Sequence, residues 1–350
     1  MEKRIEIDAP ALVDKALREA IALKASDICW LPGRGSMAVI CKVDGLQRRL
    51  CELGSEEGAQ CVARLKVMAQ LLSYRSQVSQ DGVIRDDASF PGIELRVGVM
   101  PTVHGERANL RVIDKATGPK TLDELNFEPQ MLSCLKKMLR RPSGLIILTG
   151  PTGCGKTTTI YAMVRELLKG CGEDSSVISI EDPVESLIDG ISQVSLSRSS
   201  EEWNYALALR AALRQDIKTL VIGEMRDPEV VKVALDAALT GHRVISSFHA
   251  GDIPSVYARI LNQGFEPFLV ASSISGIVSQ RLLPGSSGAG RVPLAAALIP
   301  DDSWRDFIIS SPSLAEMRRR IESIPDASLQ AAARRLIENK LIPSMEALAI

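Results

Sequence analysis

The stretch GPTGCGKT, residues 150–157, fits G-x-x-x-x-G-K-[ST], a spacing whose glycines let backbone N–H groups turn inward around a phosphate. Gly150, Pro151, Thr152, Gly153, Cys154 and Gly155 would line such a loop, Lys156 would reach the β- and γ-phosphates of ATP, and Thr157 and Thr158 would open the following helix, whose positive end adds to the attraction. Thr157 offers a hydroxyl to Mg²⁺, a hard ion that takes oxygen ligands and keeps several waters. Cys154 reads most simply as a small residue that fits, or else as a thiol activated by the helix N-terminus.

A phosphate loop needs an acid at the end of a neighbouring strand to organise Mg²⁺ or to orient the attacking water. SVISIEDPVE ends a strand at Glu181 and TLVIGEMRD ends one at Glu224. ALALRAALRQD places Arg210 and Arg214 four residues apart, on one face of a helix, as a phosphate clamp or as a solvated face. Two of the chain's 3 histidines, His242 and His249, sit in TGHRVISSFHAGD; a neutral imidazole both donates and accepts, which suits a reporter of phosphate state.

The elements that must hold these residues are apolar strands alternating with longer helices, the pattern of a parallel sheet with crossovers. The strand candidates are LIILT (145–149), SVISI (176–180), TLVI (219–222) and RVISS (243–247), preceded by one helix over 121–141. Upstream, an amphipathic helix over 10–24 leads into an α+β region, residues 1–113, with strands MAVICKV, IELRVGVM and RANLRVI, a helix EGAQCVARLKVMAQLL, and turns at Asp44-Gly45 and Asp81-Gly82. Residues 114–120 read as a linker, 121–283 as the phosphate-binding domain, and 284–350 as a mainly helical C-terminal region.

At 350 residues the chain exceeds one ordinary core, so two domains are expected. A net charge of −1, with 24% charged residues, offers no long-range attraction for nucleic acid, and none is expected as a partner. No apolar run is long enough to cross a membrane and the first residues lack a signal-peptide core, which predicts a cytoplasmic protein without a transmembrane segment. The 7 cysteines form no C-x-x-C pair, so free thiols and no zinc site are expected.

Taken together, GPTGCGKTTT, IEDPVE, LRQDIKTLVIGEMRD and TGHRVISSFHAGD resemble, in order and spacing, the Walker A, aspartate, Walker B and histidine boxes of the secretion ATPase superfamily that drives type II secretion and type IV pilus assembly. Upstream, KASDICW, VDG, LKVMAQLL, QDGVIR and RVGVMPTVHGERANLRVID extend the resemblance and account for the third histidine, His104. The resemblance implies a RecA-like P-loop motor domain with a parallel-sheet core, preceded by a smaller α+β, PAS-like domain and followed by a helical tail. It implies a Mg²⁺-dependent ATPase working as a homo-hexamer on inner-membrane platform proteins, peripheral to the inner membrane. By the same resemblance Glu181 polarises the attacking water, Glu224 organises the metal's water shell, His249 senses the γ-phosphate, and His242 holds a neighbouring turn. Arg96 and Arg111 would be nucleotide sensors of the preceding domain.

Several features depart from the family pattern. The N-terminal docking domain is expected to be missing, and the four-cysteine zinc module that would follow SQRLL is absent, no cysteine occurring after Cys171. Ile217-Lys218 replaces the usual Pro-Asp, and Ile28-Cys29-Trp30 stands where Ile-His-Ile is more common. The expected function is a motor powering assembly of a type II pseudopilus or type IV pilus; the alternatives are a retraction or conjugation-type motor, or a nucleotide-binding scaffold with little hydrolysis.

Overall fold

Asp8 starts the first helix, its carboxylate accepting the Ala11 N–H at 3.0 Å, with Pro10 in the first turn where no N–H is needed. The computed structural model describes residues 8–43, 45–85, 89–114, 120–171, 176–196, 204–286 and 291–343. The chain divides into two units, Met1–Gly118 and Pro119–Ile350.

In the first unit α1 (Ala9–Ala22) is followed by β1 (Asp27–Pro32), β2 (Ser36–Val43), β3 (Leu46–Gly54), α2 (Ser55–Met68), β4 (Gln80–Ile84), β5 (Ile93–Thr102) and β6 (Gly105–Asp114). The strands form one antiparallel sheet in the order β3-β2-β1-β6-β5-β4. Val13, Leu17 and Ala20 of α1 and Cys61, Val62 and Leu65 of α2 bury against Trp30, Leu95, Val97 and Leu110, so both helices cover the same face. Period-two alternation turns Arg96 and Arg111 to the other face, where they stand directly opposite each other on β5 and β6. Arg96 lies 3.6 Å from Glu94 and Arg111 3.5 Å from Asp27.

Asp81-Gly82 is not a turn: it lies inside β4. A Cβ on Gly82 would come within 2.7 Å of the Ala69 carbonyl and 2.8 Å of Leu71, so glycine serves close packing there. Asp44 and residues 115–119 of the expected linker lie outside the described residues.

The second unit opens with a 3-10 turn, Leu122–Leu125, and α3 (Pro129–Leu139). These replace the single helix expected over 121–141, because Asn126 adopts a left-handed conformation, φ 55°, and Pro129 starts a new helix. Then come β7 (Gly144–Thr149), α4 (Lys156–Cys171), β8 (Val177–Glu181), β9 (Ser192–Ser195), α5 (Tyr205–Ala212), β10 (Thr219–Ile222), α6 (Pro228–Leu239) and β11 (Arg243–Phe248). After α7 (Ile253–Asn262) and α8 (Pro267–Ser273), β12 (Ile274–Pro284), β13 (Arg291–Leu298), α9 (Asp302–Ile309), α10 (Leu314–Glu322) and α11 (Leu329–Glu338) complete the unit.

The sheet order is β13-β12-β7-β11-β10-β8-β9, parallel except for β13. Strand β7 is buried on both faces, Leu145 and Ile147 entering one core and Ile146 and Leu148 another, as a doubly covered parallel sheet requires. The region after 284 is not simply a helical tail. Arg291–Leu298 is an antiparallel strand of the second unit's sheet, and the tail helix α11 packs Ala332, Ala333 and Leu336 on its Val292 and Leu294.

Candidate active site

Parallel strands deliver their carboxyl ends to one edge of a sheet, which is where ligands bind in such folds. Here that edge carries residues 150–157 after β7, Glu181 at the end of β8, Glu224 two residues past β10, and His249 directly after β11. Strand β11 lies between β7 and β10.

Gly150, Gly153 and Gly155 have φ of 146°, 77° and 89°, conformations that side-chain-bearing residues rarely adopt. Lys156 begins α4 and donates its ammonium protons to the carbonyls of Gly150 at 2.8 Å and Pro151 at 3.0 Å. Thr157 is half-buried, while Pro151, Thr152 and Thr158 are exposed. Cys154 is only 3% exposed. Burial pushes its thiol pKa up, outweighing the lowering by Lys156 and Arg281, which favours Cys154 as a small residue that fits over the activated-thiol alternative.

Glu224 accepts a hydrogen bond from Arg226 Nε at 2.9 Å and lies 2.8 Å from His249 Nε2, the carboxylate being 18% and the imidazole 49% exposed. The two side chains therefore meet at the strand ends, both in contact with water. Backbone links hold the geometry. Ser247 donates to the Gly223 carbonyl at 2.6 Å, Met225 N–H to the Ser247 carbonyl at 3.0 Å and Gly223 N–H to the Ile180 carbonyl at 2.9 Å. The Thr149 hydroxyl donates to the Ala250 carbonyl at 2.8 Å and accepts the Ala250 N–H at 3.0 Å, joining the end of β7 to the His249 loop.

Glu181 is differently placed. It is 4% exposed and its oxygens accept from Tyr161 of α4, from Ser179 at 2.8 Å and from Gln193 of β9 at 3.4 Å. Burial raises its pKa, only partly countered by these donors. A carboxylate enclosed in this way is a brace between α4, β8 and β9.

The two histidines part company. β11 pairs Arg243 with Gly144 and Phe248 with Thr149, so His242 sits at the opposite end of the strand from His249, roughly 23 Å away at about 3.3 Å per residue. His242 Nδ1 lies 3.2 Å from both the Thr240 hydroxyl and the Ala237 carbonyl, holding the turn from α6 into β11 instead of one beside the phosphate loop. Arg210 and Arg214 also separate. Helix α5 ends at Ala212, so Arg214 lies past its last turn, and Arg210 pairs with Glu229 of α6 at 2.7 Å. Arg96 and Arg111 belong to the first unit.

Sequence reasoning missed Tyr161, Gln193, Gln280 and Arg281 as supports. None carries a motif of its own; Gln280 and Arg281 stood in SQRLL only as a landmark. Thr157 and Glu224 supply oxygen donors of the kind Mg²⁺ prefers, and no group of three or more His, Cys, Asp or Glu side chains suited to a metal occurs among the described residues. That sparse donor set fits an ion that keeps its waters and takes phosphate oxygens.

A family model described as Type II/IV secretion system protein matches residues 6–340. The chain is 39% identical over 272 residues to the type II secretion system protein HxcR of Pseudomonas aeruginosa, covering 78% of this chain and 57% of that one. It is 38% identical over 278 residues to the type IV pilus assembly ATPase PilB of Myxococcus xanthus, covering 79% and 48%. The chain thus spans about half the length of the curated relatives it matches. Among solved structures, the pilus retraction motor PilT with bound ADP aligns with a TM-score of 0.72 at 26% identity, over 96% of this chain and 95% of that one. The Legionella pneumophila ATPase DotB shares the fold, with a TM-score of 0.80 at 23% identity over 99% and 97%.

Proposed function

The chain belongs to the Type II/IV secretion system protein family, and from that premise we propose that it is a Mg²⁺-dependent ATPase, the motor of a hexameric ring that powers assembly of a type II pseudopilus or type IV pilus. The observation that carries the reading is the Glu224–His249 contact of 2.8 Å, made just past the ends of β10 and β11, the second of which neighbours the strand that ends in the phosphate loop.

In this reading Lys156 and the inward N–H groups of residues 150–157 hold the phosphates, and Lys156 exchanges its loop carbonyls for phosphate oxygens. Thr157 and Glu224 hold Mg²⁺, which when bound neutralises charge on the phosphate oxygens. Of the two strand-end glutamates Glu224 is the one that meets water, so orientation of the attacking water falls to it. Glu181 becomes a positioning residue, held by Tyr161, Ser179 and Gln193. His249, oriented by Glu224, reports the γ-phosphate through the loop that Thr149 ties to β7. Arg96 and Arg111 are assigned to turnover as nucleotide sensors, a role supported by family membership and by their adjacency on one sheet face.

Assembly is the first reading because the relatives at 36% to 39% identity are named for type II secretion and type IV pilus assembly; the fold shared with the retraction motor PilT makes retraction the second. Its place of work in this proposal is the cytoplasmic face of the inner membrane, through platform proteins, a reading supported by relatives named for type II secretion and type IV pilus assembly. The test is Mg²⁺-dependent ATP hydrolysis by the wild type against Lys156→Ala, with mass measured with and without a non-hydrolysable ATP analogue. Turnover that Lys156→Ala abolishes, accompanied by a six-subunit mass, supports the motor. Nucleotide binding in an assembled ring without turnover supports the scaffold instead.

A further inference from the structure

The neighbour of β7 on its other side is β12, and the register that places Ser279 opposite Thr149 brings the next residue, Gln280, alongside Gly150. Gln280 is 3% exposed. Its amide donates to the Cys154 carbonyl at 2.7 Å and accepts from the Thr159 hydroxyl at 2.9 Å. Its backbone carbonyl would lie 2.2 Å from a Cβ on Gly150, and its amide nitrogen 3.0 Å from one on Gly155. The side chain therefore ties the phosphate loop at Cys154 to the first turn of α4 at Thr159, and Gly150 and Gly155 permit the approach of its backbone and its amide.

Arg281 grips the other half of the site. One guanidinium nitrogen donates to the Gln280 carbonyl at 2.9 Å and the other to the carbonyl of Gly251, two residues beyond His249. Arg259 of α7 also donates to the His249 carbonyl, and Arg318 of α10 lies 3.3 Å from Asp252. The loop after β11 is thus held from outside by arginines, and only Arg281 is adjacent in sequence to a residue that touches the phosphate loop.

We propose that Gln280 and Arg281 are paired positioning residues: Gln280 sets the phosphate loop for nucleotide binding, and Arg281 sets the His249 loop for turnover. The inference rests on the reading of residues 150–157 as a nucleotide site. Its physical basis is that a phosphate nest needs N–H groups turned in and carbonyls turned out. A buried donor on the Cys154 carbonyl stabilises that orientation before the phosphate arrives, so less ordering is left to the binding step. Arg281 hydrogen-bonds neither Cys154 nor Thr159; one of its guanidinium nitrogens passes beside Gly150, 3.2 Å from where a Cβ there would stand, but the carbonyls it binds are those of Gln280 and Gly251, which ties it to the loop of His249.

The experiment measures MgADP affinity by calorimetry and ATP turnover on the full chain. It compares the wild type, Lys156→Ala, Gln280→Ala, the size-matched Gln280→Met and Arg281→Met, with thermal midpoints alongside. Both Gln280 variants leave the buried Cys154 carbonyl without its donor and are expected to weaken MgADP binding by about 10- to 50-fold. Arg281→Met is expected to lower kcat about tenfold with MgADP affinity within about twofold of wild type. A purely structural role would lower the midpoints without this split. Gln280→Met that folds and binds MgADP like the wild type overturns the proposal, as does Arg281→Met with unchanged kcat. Wild-type protein that takes up no MgADP removes the nucleotide reading itself, a failure distinguishable from the first two.

Discussion

Glu181 and Glu224 end adjacent strands, and what surrounds each carboxylate sets its chemistry. Glu224 keeps a water-facing edge and an imidazole partner; Glu181 is walled in by Tyr161, Ser179 and Gln193. Glu224→Gln should therefore cut kcat by at least about 100-fold, the scale of a lost general base, while MgADP binding persists; Glu181→Gln should cost far less turnover. Steady-state kinetics of the two variants decides, and equal losses would return Glu181 to the reacting water. Glu181 also makes a pH prediction. Its folded pKa is raised by burial above an unfolded value of about 4.3. Stability linked to it is complete below that value and is lost as pH rises through the folded pKa, because the fold must then hold a desolvated charge. Glu181→Gln cannot ionise, so its thermal midpoint should gain on the wild type from about pH 4 upward. A difference that stays flat between pH 4 and pH 8 would remove burial as the cause.

At the scale of elements, the first unit depends on a buried cation. Lys66 of α2 is wholly enclosed and donates to Glu106 of β6 at 2.7 Å and to the Arg75 carbonyl at 2.8 Å, pinning the segment between α2 and β4. Lys66→Met removes one partner and strands the other, an expected loss of about 3–5 kcal/mol measurable by denaturant unfolding. By contrast Arg210→Ala breaks only an exposed pair with Glu229 and should cost under about 1 kcal/mol. Elements whose hydrophobic period is local were legible in the sequence: α1, the four strands from 145 to 247, and the phosphate loop with its helix. The run IVSQRLLP was passed over as a strand, and RVPLAAAL was assigned to a helical region. Their partner is β7, more than a hundred residues earlier, or each other across residues 285–290, and pairing, not propensity, makes them strands.

For the whole molecule, two cores built by separate stretches of chain predict two calorimetric transitions. Lys66→Met should lower one, and MgADP at about 100 times its Kd should raise the other by about 2.7 kcal/mol; a single transition moved by both would contradict separate cores. The sequence by itself determined the phosphate loop and the alternation of strand and helix. Each rests on spacing within a few residues, which the backbone obeys wherever the segment lies. Tertiary structure alone decided that Glu181 is enclosed while Glu224 meets water, and that Gln280 and Arg281 reach the two loops. Those facts come from which strands lie side by side and in what register, and register is set by the burial of whole faces, a sum over distant residues that no short window contains.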